Sequence, residues 1–306
     1  MKTELKGTGV RRRILDFGSW TLDLLAALRA FRQVNSHVTL LLLSATAAFT
    51  GVGTLSGAGL NTDVALTPPE GGTIVRAQWR YTELSSDPTP LDRKVRLNAF
   101  PITAVYGVTS DFAVLATVPL VRRTVEVGAQ NATLRDTGFA DIPVLGKYRF
   151  YQDDRPGRTT RWAVVGGTEV PTFDSTFSSE SFNPIIGTVW THQRLRGWVD
   201  WSVRYQFNTG GGQDGDDRLR ADAAGSYPLY AGERQGFGPW GLYAIGEVNA
   251  DYLTDGSTRT FLSPGIQFIT ARWIAEAGIQ LPVHQEMKSP RLETDFTTVA
   301  SFRFQF

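Results

Sequence analysis

The chain contains no cysteine, which excludes disulfides, thiolate metal sites and a cysteine nucleophile together. Histidine is almost as scarce, at three in 306 residues, so little material exists for proton shuttling or imidazole-bound metal. An excess of one charge is missing too: 31 basic residues meet 30 acidic ones, and no basic surface for nucleic acid is advertised. Long hydrophobic runs are absent except one, Val38–Ala48, which falls short of the ~20 residues that a spanning helix needs. What is plentiful is glycine, at 31, and aromatic residues, at 11%, a mixture suited to strands and tight turns.

The run Val38–Ala48, VTLLLLSATAA, fits the apolar core of a secretory signal. Ala45, Ala47, Ser56 and Ala58 supply the small residues that signal cleavage uses. A buried core helix is the bland alternative, but Gly51, Gly53, Gly57 and Gly59 follow at once and would break it. Met1–His37 is long for a charged leader and carries Arg11–Arg13 ahead of an amphipathic pattern. It reads either as a genuine long leader or as upstream sequence translated from a start placed too early. Residues 1–59 are therefore expected to be leader and signal, helical and outside the mature fold. Residues 60–71, with Pro68 and Pro69, form an expected periplasmic segment that could fold into a lumen as a plug.

From Gly72 to Phe306 one theme repeats: about ten residues of alternation, then a turn or polar loop. Val199, Trp201, Val203, Tyr205 and Phe207 share one face, against Asp200, Ser202, Arg204, Gln206 and Asn208. A helix, with period 3.6, cannot separate those sets, whereas a strand does. Val75–Thr82, Arg218–Tyr227 and Asp295–Phe306 alternate as clearly, and weaker candidates lie near 93–106, 112–125, 139–151, 160–170, 183–193, 240–252, 259–269 and 273–283. The total is about twelve strands, an even number with both ends on one side, as bacterial membrane barrels require. Longer polar connections are expected at Glu83–Asp92, Glu126–Thr137, Pro171–Phe182 and Thr209–Asp217. Inner turns are short, apart from Gln152–Thr159 and Ala231–Pro239.

A soluble sandwich also alternates, but its apolar face points inward onto a packed core. Here the export signal and the terminal aromatic strand favour an all-β, closed antiparallel transmembrane barrel over residues 72–306, in a bacterial outer membrane. Its polar face carries Arg76, Arg80, Lys147, Arg149, Asp200, Arg204, Arg220, Asp222, Glu247 and Glu276, the expected lining of a wet interior. Mixed signs on that wall predict weak ion selectivity. Trp198, Trp240, Trp273 and Phe306 fall near strand ends, where interfacial aromatic girdles are expected.

Several segments resemble the bacterial outer-membrane family named for the meta pathway of phenol degradation. They are ALTPPEGGTIVRAQWRY (Ala65–Tyr81), YGVTSDFAVLATVPLV (Tyr106–Val121), GFADIPVLGKYRFY (Gly138–Tyr151), LSPGIQF (Leu262–Phe268) and AEAGIQLPV (Ala275–Val283). Their order along the chain is more specific than any one of them. One departure is Pro171-Thr172-Phe173, where the family often continues with glycine. The resemblance implies a transporter barrel admitting small, often apolar or aromatic solutes. In that class a C-terminal aromatic, here Phe306, serves the barrel assembly machinery; the other implied partner is outer-membrane lipid.

Two other classes compete. A barrel displaying its outer loops for adhesion or sensing needs no lumen chemistry. A lipid-modifying barrel enzyme needs a nucleophile within reach of an oriented base. Beyond the leader only His192 and His284 remain, on opposite ends in this topology, and no serine motif points at either. Asp214, Asp216 and Asp217 in GGGQDGDD look calcium-friendly but lack the spacing and closing glutamate of an EF-hand. Gly210–Gly212 is followed by no Lys-Ser/Thr pair, so it is not a phosphate loop. No catalytic residue, metal or cofactor is expected.

Overall fold

The computed structural model describes residues 58–172, 176–194, 197–210, 215–231, 240–270 and 272–306. The expected leader, apart from Ala58 and Gly59, lies outside the described residues, as does the expected turn at 232–239.

Strands follow the alternation. In chain order they are β1 (Thr73–Ser85), β2 (Arg93–Gly107), β3 (Phe112–Val127), β4 (Ala132–Phe139), β5 (Ile142–Arg155), β6 (Arg158–Val170) and β7 (Asn183–Arg194). They continue as β8 (Gly197–Gln206), β9 (Arg218–Ala231), β10 (Trp240–Leu253), β11 (Thr258–Thr270), β12 (Trp273–Glu286) and β13 (Glu293–Gln305). Nearly all pair antiparallel with their sequence neighbours, and β13 returns to β1, with Val75 opposite Phe304 and the Phe306 N–H donating to the Thr73 carbonyl. Closure leaves no sheet edge, the condition for backbone to survive in lipid.

β4 and β5 share one place in the ring: Leu120–Val127 of β3 pairs with β4, and Phe112–Ala116 of the same strand pairs with β5. The barrel is therefore twelve-stranded and antiparallel. The interruption falls opposite Pro119, which has no N–H to offer the ladder. There Asp141 leaves the sheet and accepts hydrogen bonds from the Ser179 N–H (2.9 Å) and hydroxyl (2.6 Å).

Two expected connections are strand instead. Glu126–Thr137 is mostly hairpin, with β3 and β4 joined through the 3-10 turn Gly128–Gln130. One face of this hairpin is polar, with Arg122, Thr124, Glu126, Thr133, Arg135 and Thr137, and its other face, with Val121, Val125 and Leu134, is interrupted by the Arg123–Asp136 pair at 3.0 Å. That polar content around the turn imitates a loop. At the other end Gln152–Thr159 closes tightly at Pro156-Gly157, with Arg155 opposite Arg158. Gly157 takes φ 76°, the left-handed position that a Pro-Gly turn reserves for glycine.

The faces are inverted relative to a soluble protein. Large apolar side chains such as Phe100, Ile102, Val164, Ile186 and Ile266 are exposed, while Thr191, Asp200, Ser202, Glu247, Ser263 and Gln267 are buried. Charged and polar groups fill the inside, and greasy ones form the outer wall. Near the rim that carries Thr73 and Phe306, the inner rim, aromatic rings stack around the outside. Tyr230–Trp240, Trp240–Phe268, Phe268–Trp273 and Trp273–Phe302 have centroids 4.5, 5.2, 5.4 and 5.6 Å apart. Trp198 departs from the expected girdle. It shares the inward parity of Asp200, Ser202 and Arg204 and packs inside with Tyr243, Ile245, Ile269 and Ile274.

Candidate functional site

Residues 58–66 run through the barrel interior as an arch. A segment that bonds to strands around a closed ring can only lie within it. Gln267 on β11 and Arg303 on β13 donate to the Ala58 carbonyl, both at 3.0 Å, and Arg303 donates to that of Gly59 at 2.8 Å. Glu247 on β10 accepts the backbone N–H groups of Leu60 and Asn61. From β1, Arg76 donates to the Leu60 carbonyl (2.6 Å) and Arg80 to Asn61 Oδ1 (2.6 Å). Lys147 on β5 and Arg204 on β8 each take one oxygen of Asp63, at 2.6 and 2.7 Å. The arch descends through the Ala65 N–H, which donates to Thr191 Oγ1 on β7 at 2.9 Å. It reaches the inner rim where the Gly71 N–H meets the Gly107 carbonyl at 2.9 Å.

Two apolar seats complete the fit. Ala65 is fully buried against Leu145, Ala163, Val165 and Val189. Leu60, 1% exposed, sits where Gly265 and Gly278 face each other across β11 and β12. A Cβ on Gly265 would come within 2.7 Å of the Leu60 Cδ1, so the glycines form its socket. Gly59 is equally constrained, because a Cβ there would meet Glu247 Oε1 at 2.5 Å.

Burial alone would push the Asp63 carboxyl up, but Lys147 and Arg204 outweigh it and hold it down at about 2. This tie has its full strength above the ordinary carboxylate value of about 4 and is lost only as pH falls through about 2. Acid in the ordinary biological range does not loosen the apex of the arch.

Of the ten polar residues expected from sequence, Arg76, Arg80, Lys147, Arg204 and Glu247 touch the arch directly. Glu276 reaches it through Arg76 (2.7 Å) and Arg303 (2.8 Å), and Asp200 through Thr191 (2.6 Å). Arg220 and Asp222 pair with each other at 2.8 Å on β9. Arg149 takes no part; it turns to Asp111 at 2.5 Å, in the turn between β2 and β3. Arg303, Gln267, Gln280, Thr191 and Arg218 are not among the ten; Gln280 and Arg218 share strand parity with Glu276 and Arg220, whereas β7, β11 and β13 carry none of the ten. Parity applied to every strand finds them.

Beside the arch lies a cavity of about 710 Å³. Its lining runs from Arg272 and Gln305 at the inner rim to Gln206 and Arg218 at the opposite end of the barrel. The two histidines are not part of it. His192 stacks on Trp190 and bonds Thr160 (2.8 Å) near the inner rim; His284 contacts Thr258 (3.4 Å) at the far end. Of the calcium-like loop, 211–214 lie outside the described residues. Asp216 is paired with Arg291 (2.8 Å), and Asp217 accepts from the Tyr205 hydroxyl (2.7 Å).

No protein-family model and no curated protein matches the chain. Solved structures do match. An outer membrane channel from Pseudomonas putida F1 is 14% identical, covering 82% of this chain and 100% of that one, with a TM-score of 0.56. The monoaromatic hydrocarbon channel CymD is 10% identical over 78% of this chain and 89% of that one, TM-score 0.42. The translocator domain of the autotransporter NalP from Neisseria meningitidis is 12% identical over 92% and 98%, TM-score 0.39. The latter two are too distant to carry an argument, and at such identity the first speaks for architecture alone. Strand order, closure, inverted faces and that likeness agree: the chain folds as a bacterial outer-membrane β-barrel.

Proposed function

We propose that this barrel is a passive channel for small organic solutes, with a lumen narrowed by its own residues 58–69. The observation that carries the reading is the cavity of about 710 Å³, whose lining extends from one rim to the other alongside the arch. Passage uses the space the arch leaves free, against Thr103, Val105, Leu115 and Thr117 on β2 and β3. The sequence resemblance to the family named for phenol degradation supports small, often apolar or aromatic solutes. Purified barrel, folded by the criterion of heat-modifiable gel mobility, is expected to conduct in planar lipid bilayers. Folded protein that never conducts would leave the loop-display reading in possession.

Outer-membrane lipid and the barrel assembly machinery are the partners this reading requires. Phe306 is 73% exposed and its ring lies tilted against that of Phe304, centroids 4.7 Å apart, free for recognition before closure. Deleting Phe306 is expected to lower the yield of folded protein in the outer membrane severalfold while refolding in detergent stays near normal. Equal loss in both assays would make Phe306 a stability residue instead.

A further inference from the structure

Within the channel reading, on which this inference rests, the two signs of interior charge are unequally placed. In Arg76–Glu276 the arginine is 22% exposed and the glutamate 0%. The same order holds for Arg220–Asp222, 28% against 3%, and for Arg218–Asp251, 32% against 10%. Asp63 is 13% exposed beneath Arg204, at 31%; its other partner, Lys147, is the exception at 3%. The carboxylates are pressed against the wall or the arch, and the guanidinium groups stand over them.

The open cavity consequently meets cations. Among the described residues its lining holds nine arginine and lysine side chains but only Asp63 and Glu169 as acids. Arg80 adds to the imbalance: its guanidinium is held by Asn61 and by Gln280 (both 2.6 Å), with no carboxylate partner among the described residues. Its electrostatic neighbours include three arginines, Arg220, Arg76 and Arg218, against one carboxylate, Glu247, which the arch already occupies. Across the same space Val105, Leu115, Leu145 and Ile185 contribute an apolar wall.

We propose that the cavity binds small organic anions, carboxylates with an apolar or aromatic body, which lay the carboxylate on Arg80, Arg218 and Arg220 and the body along the apolar wall. A planar guanidinium presents paired donors matched to a carboxylate. A cavity of this size belongs to the range that takes one small ligand. Mixed composition along the strands suggests weak selectivity, but what a solute meets depends on which charges reach the open space.

The test is a tenfold potassium chloride gradient across a bilayer holding the full barrel, followed by addition of benzoate, benzyl alcohol or benzylammonium at equal concentration. The reversal potential is expected to show chloride preferred over potassium by about threefold or more. Benzoate is expected to reduce current at concentrations where the neutral and cationic analogues do not. Arg80→Gln, which strands no carboxylate, is expected to weaken that block severalfold, with folding checked by gel mobility. Absence of any current overturns the channel reading itself. Current without anion preference, or equal block by all three compounds, overturns this inference and leaves the channel standing. Unchanged benzoate block in Arg80→Gln overturns the placement of the site.

Discussion

Removing residues 58–66 is expected to raise the conductance of the refolded barrel severalfold and to lower its thermal stability at the same time. Both effects have one origin. The arch occupies the middle of the lumen and is bonded to β1, β5, β7, β8, β10, β11 and β13. Hydrogen bonds to charged groups contribute about 1.5–3 kcal/mol each, and a buried charge that loses its partner costs more than the bond returned. Glu247 would lose the Leu60 and Asn61 N–H groups, and Arg303 two carbonyls. Water entering the emptied lumen resolvates these groups, so the barrel is expected to fold, though less stably. Glu247→Gln, which keeps shape and removes charge, should fall between wild type and the deletion in both measurements. Unchanged conductance in the deletion would show that the arch does not limit passage.

Val164→Arg is expected to destabilise the barrel in lipid vesicles by about 2–4 kcal/mol, the cost of a cation held at mid-membrane on the lipid face. Val164 stands at the middle of β6 and is 44% exposed on the outer wall. Thr103→Arg is the matched control, because Thr103 lines the interior cavity, where water and other polar groups already serve charged side chains. Urea titration of vesicle-folded protein measures both. If the inner substitution cost more than the outer one, the assignment of faces would be reversed and the membrane reading would fail with it.

Period-two alternation made most of this architecture legible, since it is fixed by which way side chains leave a strand. Val199–Asn208 and Asp295–Phe306 show it most plainly. Where an ion pair interrupts the apolar face the rhythm weakens, and so Glu126–Thr137 in the β3–β4 hairpin resembles a loop. The interruption at Ala140-Asp141 depends on Pro119 across the ladder and on Ser179 from a distant loop, partners that no local pattern connects. Inside the lumen, parity gave the lining but not the pairing. Arg149 has the same parity as Lys147, yet binds Asp111 in a turn instead of Asp63 in the arch. Trp198 lies inside because parity with Asp200, and not nearness to a strand end, decides which way its ring points.

The facing pair Gly265 and Gly278 has a counterintuitive corollary. At that one spot the wall is a bare backbone, and the bulk that belongs there arrives from residue 60. Adding atoms to the wall, as in Gly278→Val, would evict its lodger; a barrel made heavier by three carbons would then have the wider bore. The gauge of this conduit is thus set as much by what its staves leave out as by what they contain.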